Sequence, residues 1–238
     1  MTSKHALLLA LLPALAAAQP RPDPTRPESR LDDAGWTKRH AELKARAAQG
    51  GVDVLFVGDS ITQFWNDNEI WRARYEPLKA ANFGIAGDTT ENALWRVADG
   101  ELDGLSPKVV VLLLGTNNLG RESATAEEIA RGDAAVLAAL RAKLPGARIL
   151  LLGIFPRGEK ADDPKRAVIR DANALLARLA DGDSVRFLDF GARLLEPDGT
   201  LSKDVMPDFL HPALPGYQIW ADAMGPVLAE LLGAPARR

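Results

Sequence analysis

The sequence predicts an α/β protein, a three-layer α/β/α sandwich around a flavodoxin-like parallel sheet of about five strands. Three observations predict it. Short apolar runs alternate with longer stretches of helical periodicity along the chain. Two of those runs, Val109–Leu114 and Arg148–Leu152, are almost uniformly apolar, as strands covered on both faces are. The pairs Gly50-Gly51, Pro145-Gly146 and Asp181-Gly182 punctuate the helical stretches.

In chain order, Lys4 and His5 precede the short apolar run Ala6–Leu15, and Ala16-Ala17-Ala18 supplies small residues for cleavage. This is the anatomy of a signal peptide over 1–18, with an apolar run too short to span a bilayer. The expectation is therefore an exported protein, periplasmic or secreted, with no stable membrane insertion. Residues 19–30, rich in proline and arginine, read as an extended, poorly ordered linker. The rest, 31–238, reads as one domain without internal repeats. A first helix is expected over Leu31–Gln49, ended by Gly50-Gly51. Strands are expected at Val52–Val57, Ala80–Phe83, Val109–Leu114, Arg148–Ile154 and Val185–Phe190. Helices are expected at Glu69–Tyr75, Thr89–Asp99, Ala126–Leu144, Pro164–Ala180 and Pro215–Leu232.

Composition narrows the function classes. Hydrophobic residues make up 47% and charged residues 26%, ordinary values for a soluble domain with a sizeable core. The formal net charge is −3 and no long basic stretch occurs, so nothing points to nucleic acid. The chain has no cysteine, which removes disulfides, thiolate nucleophiles and cysteine-bound zinc. No Asp/Glu/His cluster has metal-ligand spacing, and no phosphate loop is present. No metal or organic cofactor is expected.

The chemistry gathers where strands end. Gly58-Asp59-Ser60-Ile61-Thr62 follows the first strand, Gly84-Ile85-Ala86-Gly87-Asp88 the second and Gly115-Thr116-Asn117-Asn118 the third; Asp208-Phe209-Leu210-His211 comes near the C-terminus. In a doubly wound sheet the carboxyl ends share one rim, where these segments can converge. A serine hydroxyl needs a base before it attacks. The chain has three histidines: His5 lies in the signal segment, and His40 shares a helical face with Trp36, Leu43 and Ala47 and reads as a packing residue. His211 is therefore the expected base, with Asp208 three residues before it to fix its tautomer. Ser60 N–H, Gly87 N–H and the Asn117 amide are the expected oxyanion donors. Asp88 and Glu91 are expected to cap the helix after Gly87, and Asp59 to brace its own turn. No Gly-x-Ser-x-Gly surrounds Ser60, which argues against a nucleophile elbow of the α/β-hydrolase kind.

These four segments resemble the four blocks of the SGNH, or GDSL-type, serine hydrolases, with Ser60, Gly87, Asn117 and His211 in the block positions. The pattern is similar above all to the catalytic subunits of platelet-activating factor acetylhydrolase Ib, through FVGDS, IWR, NFGIAGDTT, LWR, GTNN, PRGEK and DFLH in order. Ile61 stands where the family name expects leucine. The resemblance implies a carboxylic ester hydrolase working through an acyl-enzyme on short acyl groups, and it permits a homodimer. An exported acetylesterase would meet acetylated carbohydrate. Ile61, Thr116 and Leu210 flank the catalytic positions and are expected to wall the acyl pocket, with Trp65 at its border and Arg157 in reach of substrate. The alternatives are a lysophospholipase or thioesterase of the same fold, a non-catalytic carbohydrate- or wall-binding domain, and a flavodoxin-like nucleotide-binding protein.

Overall fold

The computed structural model describes residues 22–65, 68–121 and 124–233. The expected signal segment, 1–18, lies outside them. Five strands form one parallel sheet: β1 (Val54–Gly58), β2 (Ala80–Gly84), β3 (Val109–Leu113), β4 (Arg148–Leu152) and β5 (Val185–Leu188), in the order β2-β1-β3-β4-β5. The helices are α1 (Ala34–Ala48), α2 (Ser60–Gln63), α3 (Glu69–Arg74), α4 (Thr90–Ala98), α5 (Ala126–Lys143), α6 (Pro164–Leu176) and α7 (Leu214–Gly233). Every expected strand and helix is present, most of them trimmed by a few residues at their ends. One α-helix among the described residues was not foreseen: α2, a single turn that begins at Ser60 itself.

Alternation along the strands builds two cores. Leu55 and Val57 of β1 join Val110 and Leu112 of β3 in an apolar layer covered by α1, α4, α5 and α6. Val54 and Phe56, with Val109, Val111 and Leu113, face the opposite layer, which α3 and α7 cover and into which Ile61 and Trp65 pack. Since β1, β3 and β4 are buried along their whole length, their apolar sequences, Arg148 apart, are the expected consequence.

The strand order reverses between β1 and β3, and their register sets the active rim. Gly58 pairs with Gly84 on one side and Leu113 on the other, so β1, β2 and β3 end flush. The segments carrying Ser60, Gly87 and Asn117 therefore leave the sheet side by side at a topological switch point. Gly84 is required by close approach rather than by its dihedral angles. A Cβ there would stand 2.8 Å from the Asp59 carbonyl oxygen and press into the α2 backbone at Gln63.

The stretch expected as a loose linker has no helix or strand over 22–30, yet it is tied to α4. Glu28 N–H donates to Glu91 O at 3.0 Å, Asn92 Nδ2 donates to Glu28 O at 2.9 Å, and Thr90 Oγ1 donates to Pro24 O at 3.1 Å. Arg30 continues the strap, donating to Ala86 O at 2.8 Å and pairing with Asp33. Proline-rich composition carries no sign of this anchoring, which depends on partners distant in sequence.

Candidate active site

Asp59 initiates α2, its side chain accepting the Ile61 N–H at 2.9 Å, and this turn lifts Ser60 above the end of β1. Ser60 Oγ lies 2.9 Å from His211 Nε2, and His211 Nδ1 lies 2.6 Å from Asp208 Oδ2. With Nδ1–H donating a hydrogen bond to the Asp208 carboxylate, Nε2 is free to accept the serine proton. The loop that presents the pair turns sharply. Phe209 sits at φ 58°, a left-handed conformation uncommon for a residue with a Cβ. Asp208 Oδ1 secures the turn by accepting the N–H groups of Leu210 at 3.1 Å and His211 at 2.7 Å. Burial works to raise the Asp208 carboxyl, but the bonds from His211 outweigh it and hold the group below the ordinary range. Asp208 therefore stays ionised at neutral pH.

Opposite this pair stand the loops after β2 and β3. Gly87 is exposed at φ 79°, and a Cβ there would also come within 3.0 Å of the Arg30 guanidinium. Its N–H makes no backbone hydrogen bond among the described residues. Asn117 Nδ2 donates to Asp88 O at 2.9 Å and, at a long 3.3 Å, to Asp59 Oδ2. Asn118 turns the other way: it accepts the Thr90 N–H at 3.1 Å and donates to Glu91, fastening the β3 loop to the start of α4. One asparagine of the pair thus faces the Ser60 turn and the other is structural.

Beneath the Gly87 loop runs a buried ionic network that the sequence did not disclose. The expected Asp88 cap is replaced by Thr89, whose N–H and hydroxyl both bond to Asn92 Oδ1. Asp88 instead turns inward, taking the Trp36 Nε1–H at 2.6 Å and an ion pair from Arg96 Nε at 2.8 Å. Glu91 pairs with Arg121. Arg96, 1% exposed, also donates to Phe83 O at 3.0 Å and to Glu101 at 2.6 Å. His40 does lie on the buried face of α1, as expected, but it is more than packing, lying between Glu101 at 2.7 Å and Asp99 at 2.9 Å. Desolvation opposes its charge, yet bonds from the two carboxylates prevail and raise its pKa. Arg96 thereby joins the end of β2 to the loop that carries Gly87.

The remaining pocket candidates divide. Thr116 is buried at 3%, and Arg157 donates to its carbonyl oxygen at 2.9 Å and to its hydroxyl at 3.3 Å. Through Nη1, Arg157 thus braces the β3 loop. Ile61 is 2% exposed, with its carbonyl accepting the Tyr217 hydroxyl at 2.9 Å, and Leu210 is half-buried. Trp65 does not border a pocket. It is fully buried against Phe56, Tyr75, Tyr217 and Trp220 in the layer beneath α2. The exposed aromatic at the site is its neighbour Phe64, whose ring centroid is 5.2 Å from that of His211.

Asp133 on α5 is also unforeseen. It is fully buried, neither carboxyl oxygen has a hydrogen-bond partner, and a Cβ at Gly115 would meet Oδ2 at 3.1 Å. Burial first, then the nearby Asp59 charge, pushes its pKa up to about 8; burial likewise raises Asp59 to about 7. A carboxyl raised above its unfolded value keeps a proton in the folded state that the unfolded chain has released. Stability should therefore fall as pH rises from about 4 towards 8, by up to about 1.4 kcal/mol per pH unit for this one group. Asp133→Asn is expected to flatten that dependence. In urea unfolding, its stability relative to the parent should improve by about 2 kcal/mol or more between pH 5 and pH 8; an unchanged difference would contradict the burial argument.

Comparison with known proteins gives the family. Residues 56–219 match the model of the GDSL-like lipase/acylhydrolase family. The chain belongs to this family. Among curated relatives, it is 41% identical over 179 residues to the platelet-activating factor acetylhydrolase IB subunit alpha2 of Gallus gallus, covering 75% of this chain and 77% of that one. Among solved structures, a platelet activating factor candidate from Streptococcus pneumonia superposes with a TM-score of 0.68 at 23% identity, covering 82% of this chain and 92% of that one. An acetyl-xylooligosaccharide esterase from Geobacillus superposes with a TM-score of 0.56 at 20% identity, covering 79% and 97%. These two structural likenesses carry the fold. As a GDSL-type acylhydrolase, this chain is a carboxylic ester hydrolase acting on small ester substrates.

Proposed function

We propose that this GDSL-type hydrolase is an exported serine esterase that removes short acyl groups, acetyl above all, from carbohydrate alcohols. The observation that carries the catalytic part is the unbroken line from Ser60 through His211 to Asp208, at 2.9 and 2.6 Å. Ser60 Oγ attacks the ester carbonyl as His211 Nε2 takes its proton. Asp208 steadies the resulting imidazolium. The developing oxyanion takes hydrogen bonds from Ser60 N–H and Gly87 N–H, and Asn117 turns to it the proton now spent on the long contact with Asp59. His211 then protonates the departing alkoxide, and water repeats the sequence on the acyl-enzyme.

The acyl half is read as short, acetyl above all. The acetylhydrolase name of the 41% identical relative agrees with this. Carbohydrate is favoured by the acetyl-xylooligosaccharide esterase among the structural neighbours, together with export, which the run from Lys4 to Ala18 supports. The test is a panel of 4-nitrophenyl esters of increasing acyl length beside acetylated xylo-oligosaccharides. Acetate is expected to be cleaved at least tenfold faster than octanoate, with acetate released from the oligosaccharides; a preference for octanoate, or no release, would overturn the substrate reading. Protein collected from outside the cytoplasm should begin at Gln19, whereas a retained Met1 there would contradict cleavage.

A further inference from the structure

Phe64 closes the α2 turn, its N–H donating to Ser60 O at 2.9 Å, so its place is fixed relative to the nucleophile. The residue is 50% exposed, and its ring leans on the His211 imidazole at an interplanar angle of 48°. The next residue, Trp65, is fully buried. One turn therefore buries one aromatic ring and holds the other in solvent against the catalytic base. Large exposed apolar side chains are scarce among the described residues: Leu31, Phe64 and Leu214. Phe64 is the aromatic one, and Leu214 opens α7 just beyond His211.

The chemistry decides which half of the ester meets this ring. The carbonyl oxygen must face Gly87 and Asn117 on the loops after β2 and β3. The leaving oxygen must lie at His211 Nε2 to receive its proton. The alcohol half consequently departs over the imidazole, where Phe64 stands. We propose that the Phe64 ring is the seat of the alcohol half and selects alcohols that present a flat apolar ring face, whether a pyranose or an aryl ring. This rests on the esterase reading above and carries it to the alcohol side.

The experiment compares kcat/KM for phenyl acetate, a mono-acetylated methyl xyloside and ethyl acetate, in the parent, Phe64→Ala and Phe64→Trp. In Phe64→Ala, the ratio of each ring ester to ethyl acetate is expected to fall about tenfold, the scale of one aromatic contact, mostly through KM. Phe64→Trp should restore it. If Phe64 served merely to hold His211, ethyl acetate would suffer most, because its alkoxide most needs a proton, and the phenyl ratio would rise. A rise or an unchanged ratio overturns the proposal. Failure of every form to cleave the xyloside would remove the pyranose and the carbohydrate reading, while the phenyl acetate ratio still decides the role of Phe64.

Discussion

Ser60→Ala is expected to lower kcat by a factor on the order of 10⁵ to 10⁶, with the fold intact. The size follows from the arrangement: alanine removes the one atom that His211 Nε2 faces at 2.9 Å, and with it the covalent intermediate. What survives is substrate binding and the oxyanion donors, the residue-60 N–H, Gly87 and Asn117, which by themselves sustain about 10³-fold catalysis over water. Because Ser60 is the first residue of α2, where alanine is also well accommodated, the unfolding midpoint should stay close to that of the parent. Loss of activity with loss of fold would point to a scaffold role instead. Single-turnover kinetics beside circular dichroism separates the two.

His211→Ala is expected to cost nearly as much, about 10⁴- to 10⁶-fold in kcat, and the double variant with Ser60→Ala should be scarcely worse than either alone. The two groups act as one unit, so their losses do not add. Asp208→Asn is expected to cost less, about 10²- to 10⁴-fold. The Asp208 side chain is 56% exposed, so water screens its charge, and the amide keeps the oxygen that accepts the Leu210 and His211 N–H groups. What it loses is the carboxylate that selects the Nδ1–H tautomer and balances the imidazolium. Additive losses in the double variant would contradict the proposed relay.

Much of this was legible because it is local or periodic. Apolar runs announced the strands, and covering on both faces made β3 and β4 unmistakable. Asp208 and His211 lie within one turn, so their partnership could be read from spacing. Ser60, Gly87 and Asn117 could be placed on one rim because doubly wound topology brings strand ends together. The misses have a common physical source. Phe64 and Trp65 are adjacent aromatics at the end of a short turn, and which one enters the core is settled by Tyr217 and Trp220 of α7, from the far end of the chain. Asp88 sits where a cap would be read, but Arg96 and Trp36 compete for its carboxylate and win. The strap over 22–30 has the composition of a loose segment, and its anchoring to Glu91, Asn92 and Thr90 exists only once α4 is folded.

The most direct measurement of the central claim is covalent: incubation of the folded chain with a fluorophosphonate, followed by peptide mapping of the adduct. One label per chain, carried on Ser60 and absent in Ser60→Ala and strongly slowed in His211→Ala, is the predicted result. A label on another side chain, or full ester hydrolysis with Ser60 unlabelled, would contradict the account.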